Sequence, residues 1–276
     1  MRRINGEITL KTEGYIIRGG VEGRERLRLL SEVMGPSTRA LLAEAGIPAG
    51  SKCLDVGCGG GDVTCELARV AGSTGRAIGI DRDETLIDIA RRESNQQRHG
   101  NTSFEVRDVV EWEPTEQFDI VYARFLLSHL QNPERLIAVM HRHIRPGGMM
   151  IIEDIDFRGH FSEPDCPALQ RYVELYTRSV QSRGADPNIG PRLPCLFQDA
   201  GFNDIHLMLV HPAALRGGIK LLTCLTLESI AETVLKDGLT GEEELCKTIE
   251  ELDSFARNPR TVLAGPRIFQ VWGRRS

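Results

Sequence analysis

A glycine-rich turn after a short apolar segment is the feature of this sequence best suited to hold a ligand. The stretch from Cys53 to Asp62 reads CLDVGCGGGD. Glycine lets the backbone take positive φ angles and approach a bound molecule closely. Because ligands of open α/β sheets lie beyond the carboxyl ends of the strands, this turn predicts a binding site for a small molecule or a nucleotide.

Three aspartates stand at or near the ends of three successive predicted strands: Asp55, Asp81 and Asp108. An acid that ends the second strand can accept hydrogen bonds from both hydroxyls of a ribose. An acid that ends the third can accept from the exocyclic amine of adenine, and Val109 beside it can pack on the ring. A surface cap or a turn would explain each aspartate alone, but the set predicts an adenosine site.

The spacing around the turn helps to decide between two kinds of adenosine cofactor. A dinucleotide fingerprint reads G-x-G-x-x-G, and here Gly57 and Gly59 fit while Asp62 occupies the third position. Its carboxylate would oppose a pyrophosphate at the helix N-terminus. Asp55, inside the strand, suits a cation such as the ammonium of an amino acid. These features favour S-adenosylmethionine (SAM), which carries an ammonium and a sulfonium and no phosphate, over NAD, although Asp81 does not separate the two.

Strands that alternate with helices position these residues. Hydrophobic periodicity predicts strands over 52–56, 77–80, 103–106, 118–122, 149–152, 205–210 and 267–272. It predicts helices over 26–34, 38–45, 62–70, 84–92, 133–143, 168–182 and 193–200, and a mostly helical stretch over 219–255. The alternation favours an α/β fold with a doubly wound, seven-stranded, mostly parallel, Rossmann-like sheet and helical cap insertions.

The chain divides into four parts on this interpretation. They are an N-terminal helical lid over 1–48, an α/β core over 49–156 that binds the cofactor, a cap insertion over 157–192, and a segment over 193–276 that completes the core sheet and carries a helical insertion. The two insertions could enclose a pocket for a second molecule.

Composition counts against several classes of protein. The 276 residues are 41% hydrophobic and 26% charged with a formal net charge of −5, whereas a non-specific nucleic-acid binder is usually basic. We find no stretch near the ~20 apolar residues of a membrane span, and the first residues do not resemble a secretory signal. Seven cysteines form no C-x-x-C pair, so we expect no zinc ribbon, no metal and a reduced, cytoplasmic protein. The oligomeric state stays open.

At these motifs the chain resembles the class I SAM-dependent methyltransferases, especially the small-molecule group that includes the ubiquinone and menaquinone biosynthesis methyltransferases. The resemblance covers roughly 50–153, with the stretches in family order and at family spacing. They are LDVGCGGG from Leu54, GID from Gly79, RDV from Arg107, FDIVYA from Phe118, the segment 126–130, and IRPGG from Ile144. The resemblance implies SAM as cofactor and methyl transfer to a small-molecule acceptor.

The resemblance also implies a role for each matching residue. Those expected at the methionine portion of SAM are Asp55, Gly57, Gly59, Ala123 and Arg124. Those expected at the adenosine are Asp81, Arg82, Asp108 and Val109. His129 falls where the family often has a histidine near the sulfonium. Tyr15 and Arg26 are the candidates for lid residues that close over the cofactor.

Methyl transfer leaves a neutral thioether, so it needs mainly alignment and a deprotonated nucleophile. A general base is required only if the acceptor is protonated when bound. The candidate catalytic bases are His129 and His160, together with the acids Glu153, Asp154 and Asp156, whose cluster could attract a cationic amine. Each could instead be structural, with Glu153 binding a residue of the lid.

Aromatic residues of the first insertion are candidates for the wall of an acceptor pocket. They are Phe157, Phe161, Tyr172 and Tyr176. The two tyrosines are four positions apart and share a helix face. Packing of the cap is the preferred single explanation of these residues.

Three other functions compete with small-molecule methyl transfer. The chain could bind SAM without transferring a methyl group, as a diverted catalyst or a ligand sensor, because fold alone does not fix function. It could methylate a protein or an RNA, although the acidic balance and the long cap count against these substrates. It could be a NAD-dependent oxidoreductase, which would bind NADH and not SAM.

Overall fold

The computed structural model describes residues 20–96, 100–112 and 116–276. Within them the chain forms ten strands: β1 (Lys52–Val56), β2 (Arg76–Asp81), β3 (Thr102–Val106), β4 (Phe118–Arg124), β5 (Ile144–Asp156), β6 (Phe161–Glu163), β7 (Phe202–Val210), β8 (Ala213–Ala214), β9 (Val262–Ala264) and β10 (Arg267–Arg275). The same residues form eight α-helices: α1 (Gly20–Glu44), α2 (Asp62–Ala71), α3 (Glu84–Gln96), α4 (Pro133–His143), α5 (Pro167–Gln181), α6 (Leu193–Asp199), α7 (Gly218–Lys236) and α8 (Glu242–Arg257).

Seven strands form the main sheet in the order β3-β2-β1-β4-β5-β10-β7. The first five pair in parallel, whereas β10 runs antiparallel to both β5 and β7. This confirms the predicted seven-stranded, mostly parallel sheet. The chain moves outward from β1 to β3 and then returns to β4 on the other side of β1. The carboxyl ends of β1 and β4 therefore form a topological switch point, where such sheets bind ligands.

Helices cover both faces of this sheet. On one face Leu54 belongs to a hydrophobic cluster with Leu136 of α4 and Phe197 of α6. On the other face Cys53 belongs to a cluster with Leu67 of α2. Successive residues of β1 thus serve opposite faces, which explains why the parallel strands read as almost continuous apolar runs.

One continuous helix, α1, replaces the two short helices predicted on either side of Pro36, which lies inside it. Met34, Thr38 and Leu41 are buried, because their spacing places them on one side of the helix. Burial of this side offsets the hydrogen bond that a proline removes from a helix interior.

Two details of the sheets also differ from the prediction. The strand expected from 149 begins at Ile144, and Gly147, with a φ of 76°, lies where the register of β5 with β4 shifts. A second, antiparallel sheet with the order β6-β9-β8 is absent from the prediction, because its strands have only two or three residues. Such short strands show no alternating pattern.

The helices α1, α5, α7 and α8 form a cap over the carboxyl end of the sheet. Their shared hydrophobic cluster contains Tyr172 of α5, Leu227 of α7 and Leu252 of α8. It also contains Ile155 near the end of β5 and its register partner on β10, Ile268. The cap therefore covers the end of the sheet at which β1 and β4 finish. The boundaries of the four predicted parts stay a prediction.

The part of the chain that the structure describes has three further properties. Every helix in it is too short or too polar to cross a lipid bilayer. It contains no group of three or more His, Cys, Asp or Glu side chains that could hold a metal ion. All seven cysteines are free thiols in it.

Lys220 of α7 is a buried cation that fixes the cap. Its Nζ donates to the carbonyls of Asn258 and Thr261 at 2.9 and 3.0 Å, and to the hydroxyl of Thr261 at 2.6 Å. A longer contact of 3.2 Å reaches the carbonyl of Leu215. These acceptors offset the cost of burying an ammonium group. They hold α7 against the segment that follows α8.

Replacing Lys220 with methionine should destabilise the protein by about 2–4 kcal/mol, because buried carbonyls lose a charged donor. Urea unfolding followed by circular dichroism measures the change. Lys236→Met is the matched control, since Lys236 is exposed in the last turn of the same helix. It should change stability by at most about 0.5 kcal/mol. Equal effects of the two substitutions would show that the contacts of Lys220 do not stabilise the cap.

Candidate active site

The turn after β1 is shaped by its glycines. Gly57, Gly59 and Gly61 have φ angles of 71°, 52° and 82°. The N–H of Gly57 donates to the carbonyl of Ile80 at 2.8 Å and so ties the turn to β2. A Cβ at Gly57 would lie 3.1 Å from the side chain of Leu126. The turn therefore presents backbone, and no bulky side chain, to the space beyond β1.

Asp81, at the end of β2, faces this turn. Its carboxylate accepts from the N–H of Gly59 at 2.9 Å and from the N–H of Asp83 at 3.0 Å. Burial raises the pKa of Asp81. A carboxylate offers about four lone-pair positions, more than these two contacts occupy, so Asp81 is held in one orientation and can accept further hydrogen bonds.

Asp55 of β1 is buried at the bottom of the same space. Its Oδ2 accepts from the hydroxyl of Thr64 at 2.6 Å. Burial is the main cause that raises the pKa of Asp55 to about 6. The hydrogen bond from Thr64 and the charge of Arg124 act in the opposite direction, and the charge of Asp81 raises the pKa further. A cation beside this carboxyl group would favour its charged form.

The residues after β3 lie at the exposed edge of this space. The N–H of Arg107 donates to the carbonyl of Asp81 at 2.9 Å, so the ends of β3 and β2 are adjacent. Asp108 accepts from the N–H of Val110 at 2.9 Å, and its other oxygen lies 3.9 Å from Nη1 of Arg82. Val109 packs against the sheet core. An apolar side chain beside polar groups suits the adenine end of a nucleoside.

The end of β4 closes the side of the space opposite β2. Ala123 is buried and pairs with Val56 of β1. Nη1 of Arg124 donates to the hydroxyl of Thr38 on α1 at 3.1 Å. Because the charge of Arg124 lowers the pKa of Asp55, a cation and a carboxyl group act on each other at the switch point.

A buried hydrogen-bond network centred on Glu153 joins α1 to the middle of the sheet. Its Oε1 accepts from the hydroxyl of Thr38 at 2.8 Å and from the hydroxyl of Tyr122. Its Oε2 accepts from Nε2 of Gln270 at 2.6 Å. Thr38 in turn contacts Arg124. Glu153 therefore binds a residue of the predicted lid, which is the structural alternative to a role as a catalytic base.

Phe125 follows β4 in a backbone conformation that few side chains adopt. Its φ is 53°, and its N–H donates to the carbonyl of Glu153 at 2.8 Å. Strained residues of this kind cluster at functional sites. Phe125 lines a cavity beside the switch point, and the guanidinium of Arg124 lies 5.7 Å from the centroid of its ring.

This cavity, which we call the cap cavity, has a volume of about 80 Å³. Its wall is formed by α1, α5 and α7, by the ends of β5 and β10 and by residues that follow β4. The apolar residues of the wall include Leu30, Met34, Phe125, Ile155, Phe157, Tyr172, Tyr176, Leu222 and Ile268. The polar ones include Arg26, His129, His160, Thr223 and Thr226.

The aromatic residues predicted for an acceptor pocket are mostly found here. Phe157 stacks on Tyr176 with ring centroids 3.9 Å apart, and Tyr172 lies 5.5 Å from Phe157 at a steep angle. These rings pack the cap and also line the cap cavity, and their place in an acceptor pocket stays a prediction. Phe161 is the exception, because it is exposed and contacts His211.

The two candidate bases, His129 and His160, both line the cap cavity. Burial, and then the charge of Arg26, lowers the pKa of His129 to about 3. Burial lowers the pKa of His160 to about 4. Nδ1 of His160 lies 2.8 Å from the carbonyl of Phe157 and must donate to it, which leaves Nε2 as the acceptor. Both imidazoles are neutral at pH 7.

The acidic cluster at the end of β5 is not part of the cavity wall. Glu153 belongs to the network above, and Asp154 accepts from backbone N–H groups that follow β4. Asp156 pairs with Arg158 at 2.7 Å and with Arg267 at 2.6 Å. Because protein groups satisfy these acids, they are not placed to attract a cationic amine, contrary to the expectation.

The two lid candidates have different outcomes. Nε of Arg26 donates to the hydroxyl of Thr226 at 3.2 Å, so Arg26 lies at the cap cavity. Leu27 approaches the position of a Cβ on Gly59 to 3.7 Å, so α1 covers the glycine turn next to this point. Tyr15 lies outside the described residues.

A larger cavity, of about 220 Å³, lies between α1, α2 and α3. Its charged wall residues are Arg39, Arg69, Arg124, Asp62, Glu66 and Glu93. Asp55, Asp81 and Asp108 do not line it, but Gly60 and Gly61 of the glycine turn and Arg124 do, so this cavity borders the turn on the side of α1.

Sequence reasoning misses Thr38, Phe125 and the contribution of α7. Thr38 could have been found as the polar residue on the buried side of α1. Nothing in the sequence marks the positive φ of Phe125. The residues of α7 meet His129 across about 90 positions of chain, which no local pattern reveals.

Comparison with known proteins gives a consistent result. A family model described as a methyltransferase domain matches residues 47–184. A demethylmenaquinone methyltransferase of Staphylococcus saprophyticus is 27% identical over 150 residues, which are 51% of this chain and 58% of that protein. The methyltransferase GfsG of Streptomyces halstedii is 28% identical over 214 residues, 74% of each chain.

A solved structure shares the fold. It is a coclaurine N-methyltransferase bound to N-methylheliamine and S-adenosylhomocysteine, with a TM-score of 0.52 and 18% identity, and the match covers 86% of this chain and 72% of that one. The chain spans only about a third to little more than half the length of several curated relatives.

Valine has nearly the shape of threonine but lacks its hydroxyl. Replacing Thr38 with valine should destabilise the protein by about 1.5–3 kcal/mol, because the buried carboxylate of Glu153 loses a hydrogen-bond donor. Urea unfolding measures the loss. Ser37→Ala is the control, since the hydroxyl of Ser37 donates only to the carbonyl of Met34 within α1. A Thr38→Val variant as stable as the unsubstituted protein would show that this contact does not anchor α1.

Proposed function

The chain belongs to the methyltransferase family whose domain model spans residues 47–184, and on that premise we propose that it moves a methyl group from SAM to a small-molecule acceptor. One observation carries the proposal. Asp55 and Asp81 lie together at the glycine turn, Asp108 follows the strand that ends beside Asp81, and a mostly apolar cavity is lined by residues that follow β4. The first feature suits a positively charged adenosine compound, and the second suits an acceptor.

The residues of the site fit SAM on physical grounds. The carboxyl group of Asp55 is buried with a raised pKa, and a cation would stabilise its charged form. The positive φ of Gly57 and the nearby side chain of Leu126 both disfavour any residue with a Cβ there, so the turn presents bare backbone. Asp81 is held by two backbone N–H groups and retains acceptor capacity for ribose hydroxyls.

We propose a role for each residue of the site. We assign the methionine portion to Asp55, Gly57, Gly59, Ala123 and Arg124. We assign the adenosine to Asp81, Arg82, Asp108 and Val109. His129 follows β4 and borders the cap cavity, which supports a place near the sulfonium.

The chemistry asks little of the protein besides alignment. SAM supplies an electrophilic methyl group on a positively charged sulfur. The cap excludes water, and the cavity wall orients an acceptor so that its lone pair forms the new bond to the methyl carbon while the electrons of the broken carbon–sulfur bond remain on sulfur. If the acceptor carries a proton, the neutral imidazole of His129 or of His160 can accept it.

Formation of S-adenosylhomocysteine tests the proposal directly. The protein is incubated with SAM and a panel of small acceptors, and S-adenosylhomocysteine and the methylated product are measured by mass spectrometry. Equal amounts of the two are expected for at least one acceptor. Tight SAM binding without either product would favour the other candidate, a SAM-binding protein that transfers no methyl group.

The reduced, cytoplasmic setting stays a prediction from the cysteines.

Replacing Asp81 with asparagine should weaken SAM binding more than tenfold, because the ribose hydroxyls lose a charged acceptor worth about 1.5–3 kcal/mol for each hydrogen bond. Isothermal titration calorimetry measures the dissociation constant. Asp88→Asn is the matched control on the exposed face of α3, where Asp88 pairs with Arg91. Unchanged affinity in a folded Asp81→Asn variant would contradict the assignment.

SAM affinity should also depend on pH through Asp55. Its pKa of about 6 means that it is mostly charged at pH 7 and mostly protonated at pH 5. Since the ammonium and sulfonium favour the charged form, affinity should fall about tenfold from pH 7 to pH 5, and binding near pH 6 should release protons. Asp81, whose pKa is also raised, adds in the same direction.

Calorimetry in buffers of different ionisation enthalpy measures this proton release. Asp55→Asn should weaken binding at pH 7 and flatten the pH dependence. An unsubstituted protein with equal SAM affinity at pH 5 and pH 7 would show that Asp55 does not face the cation.

A further inference from the structure

The charge of the cap cavity distinguishes between classes of acceptor. Among the lining residues that the structure describes, Arg26 is a cation, and none is an aspartate or a glutamate. The rest of the wall is aromatic, aliphatic or neutral and polar. An ammonium acceptor would meet a like charge here, and the described wall offers it no carboxylate to pair with.

The acids at the end of β5 do not compensate for this charge. Glu153 accepts three hydrogen bonds from side chains of α1 and of the sheet, and Asp156 is held between two arginines. Asp154 accepts from the backbone after β4 at 2.8 and 3.2 Å. Each carboxylate is thus committed to protein donors, away from the cavity wall.

Arg26 is oriented toward the polar groups of the cavity. Its Nε donates to the hydroxyl of Thr226 at 3.2 Å, which fixes the plane of the guanidinium. An arginine carries five N–H donors in a rigid fork, so this contact uses only part of its capacity. The fork is well matched to a carboxylate or to another anionic oxygen.

The neighbours of Arg26 respond to its charge. It lowers the pKa of His129, which keeps that imidazole neutral, and it opposes the effect of burial on the phenol of Tyr172. At this point of the cavity the positive charge therefore favours a negatively charged oxygen. A neutral histidine beside it can take the proton that an acidic hydroxyl gives up.

Resting on the function proposed above, we propose that Arg26 makes the cap cavity selective for apolar acceptors that carry an acidic or anionic oxygen, and selects against ammonium acceptors. Arg26 would bind that oxygen, while the rings of Phe157, Tyr172 and Tyr176 pack on the apolar part of the acceptor. This differs from a lid role in which Arg26 binds the cofactor.

Three probes of one shape and different charge test this selectivity: 4-methylbenzoate, p-cresol and 4-methylbenzylamine. Each is titrated at pH 8 into the protein saturated with S-adenosylhomocysteine, and the dissociation constant is measured by NMR. We expect 4-methylbenzoate and p-cresol to bind at least tenfold more tightly than the amine. If only 4-methylbenzoate does so, the oxygen must be ionised before it binds; if p-cresol does so as well, an acidic hydroxyl suffices.

Two variants separate Arg26 from general effects. Arg26→Gln should weaken the binding of 4-methylbenzoate at least tenfold and remove most of the preference for 4-methylbenzoate over the amine. Arg28→Gln, on the exposed side of the same helix where Arg28 pairs with Glu32, should leave the preference unchanged. SAM affinity is measured for every variant.

The proposal is overturned if the amine binds as tightly as 4-methylbenzoate, if neither oxygen probe binds, or if Arg26→Gln keeps the preference. A variant that loses SAM affinity but keeps the preference would place Arg26 at the cofactor and also overturn it. Failure of the unsubstituted protein to bind SAM would instead overturn the proposed function, so the two failures are distinguishable.

Discussion

A carboxyl group buried at the switch point of a parallel sheet is the constraint on which this site depends. Asp55 lies on a strand that pairs on both sides, with β2 and with β4, so its position is fixed by the sheet itself. Burial raises its pKa to about 6, and Thr64 and Arg124 offset only part of the cost. A bound cation would supply the remaining stabilisation, which gives this end of the sheet a preference for positive charge.

The helix α1 connects this region to the cap cavity. Thr38 anchors it to Glu153 in the middle of the sheet, and about three turns earlier Leu27 covers the glycine turn while Arg26 enters the cavity wall. One rigid element therefore borders both the glycine turn and the cap cavity. Because α1 also packs against α7, a shift of the cap would move both walls together.

Much of the fold follows from local sequence. The apolar runs of β1 to β5 and the glycines between them fix where strands end, and strand ends fix Asp55, Asp81 and Asp108. Tertiary packing decides what local pattern cannot: burial of Met34 keeps α1 continuous through Pro36. The partners of the acids at the end of β5 are also distant in the sequence. No local pattern shows that Asp156 pairs with Arg267, so the sequence wrongly suggested that these acids face an acceptor.

The most direct test of the account is a pair of calorimetric titrations of the same protein, one with SAM and one with NADH. The three aspartates at the strand ends favour a cationic ligand without a phosphate. They therefore predict one-to-one binding of SAM and no binding heat with NADH. Binding of NADH without binding of SAM would contradict the account, because the site would then prefer the anionic dinucleotide that its carboxylates should repel.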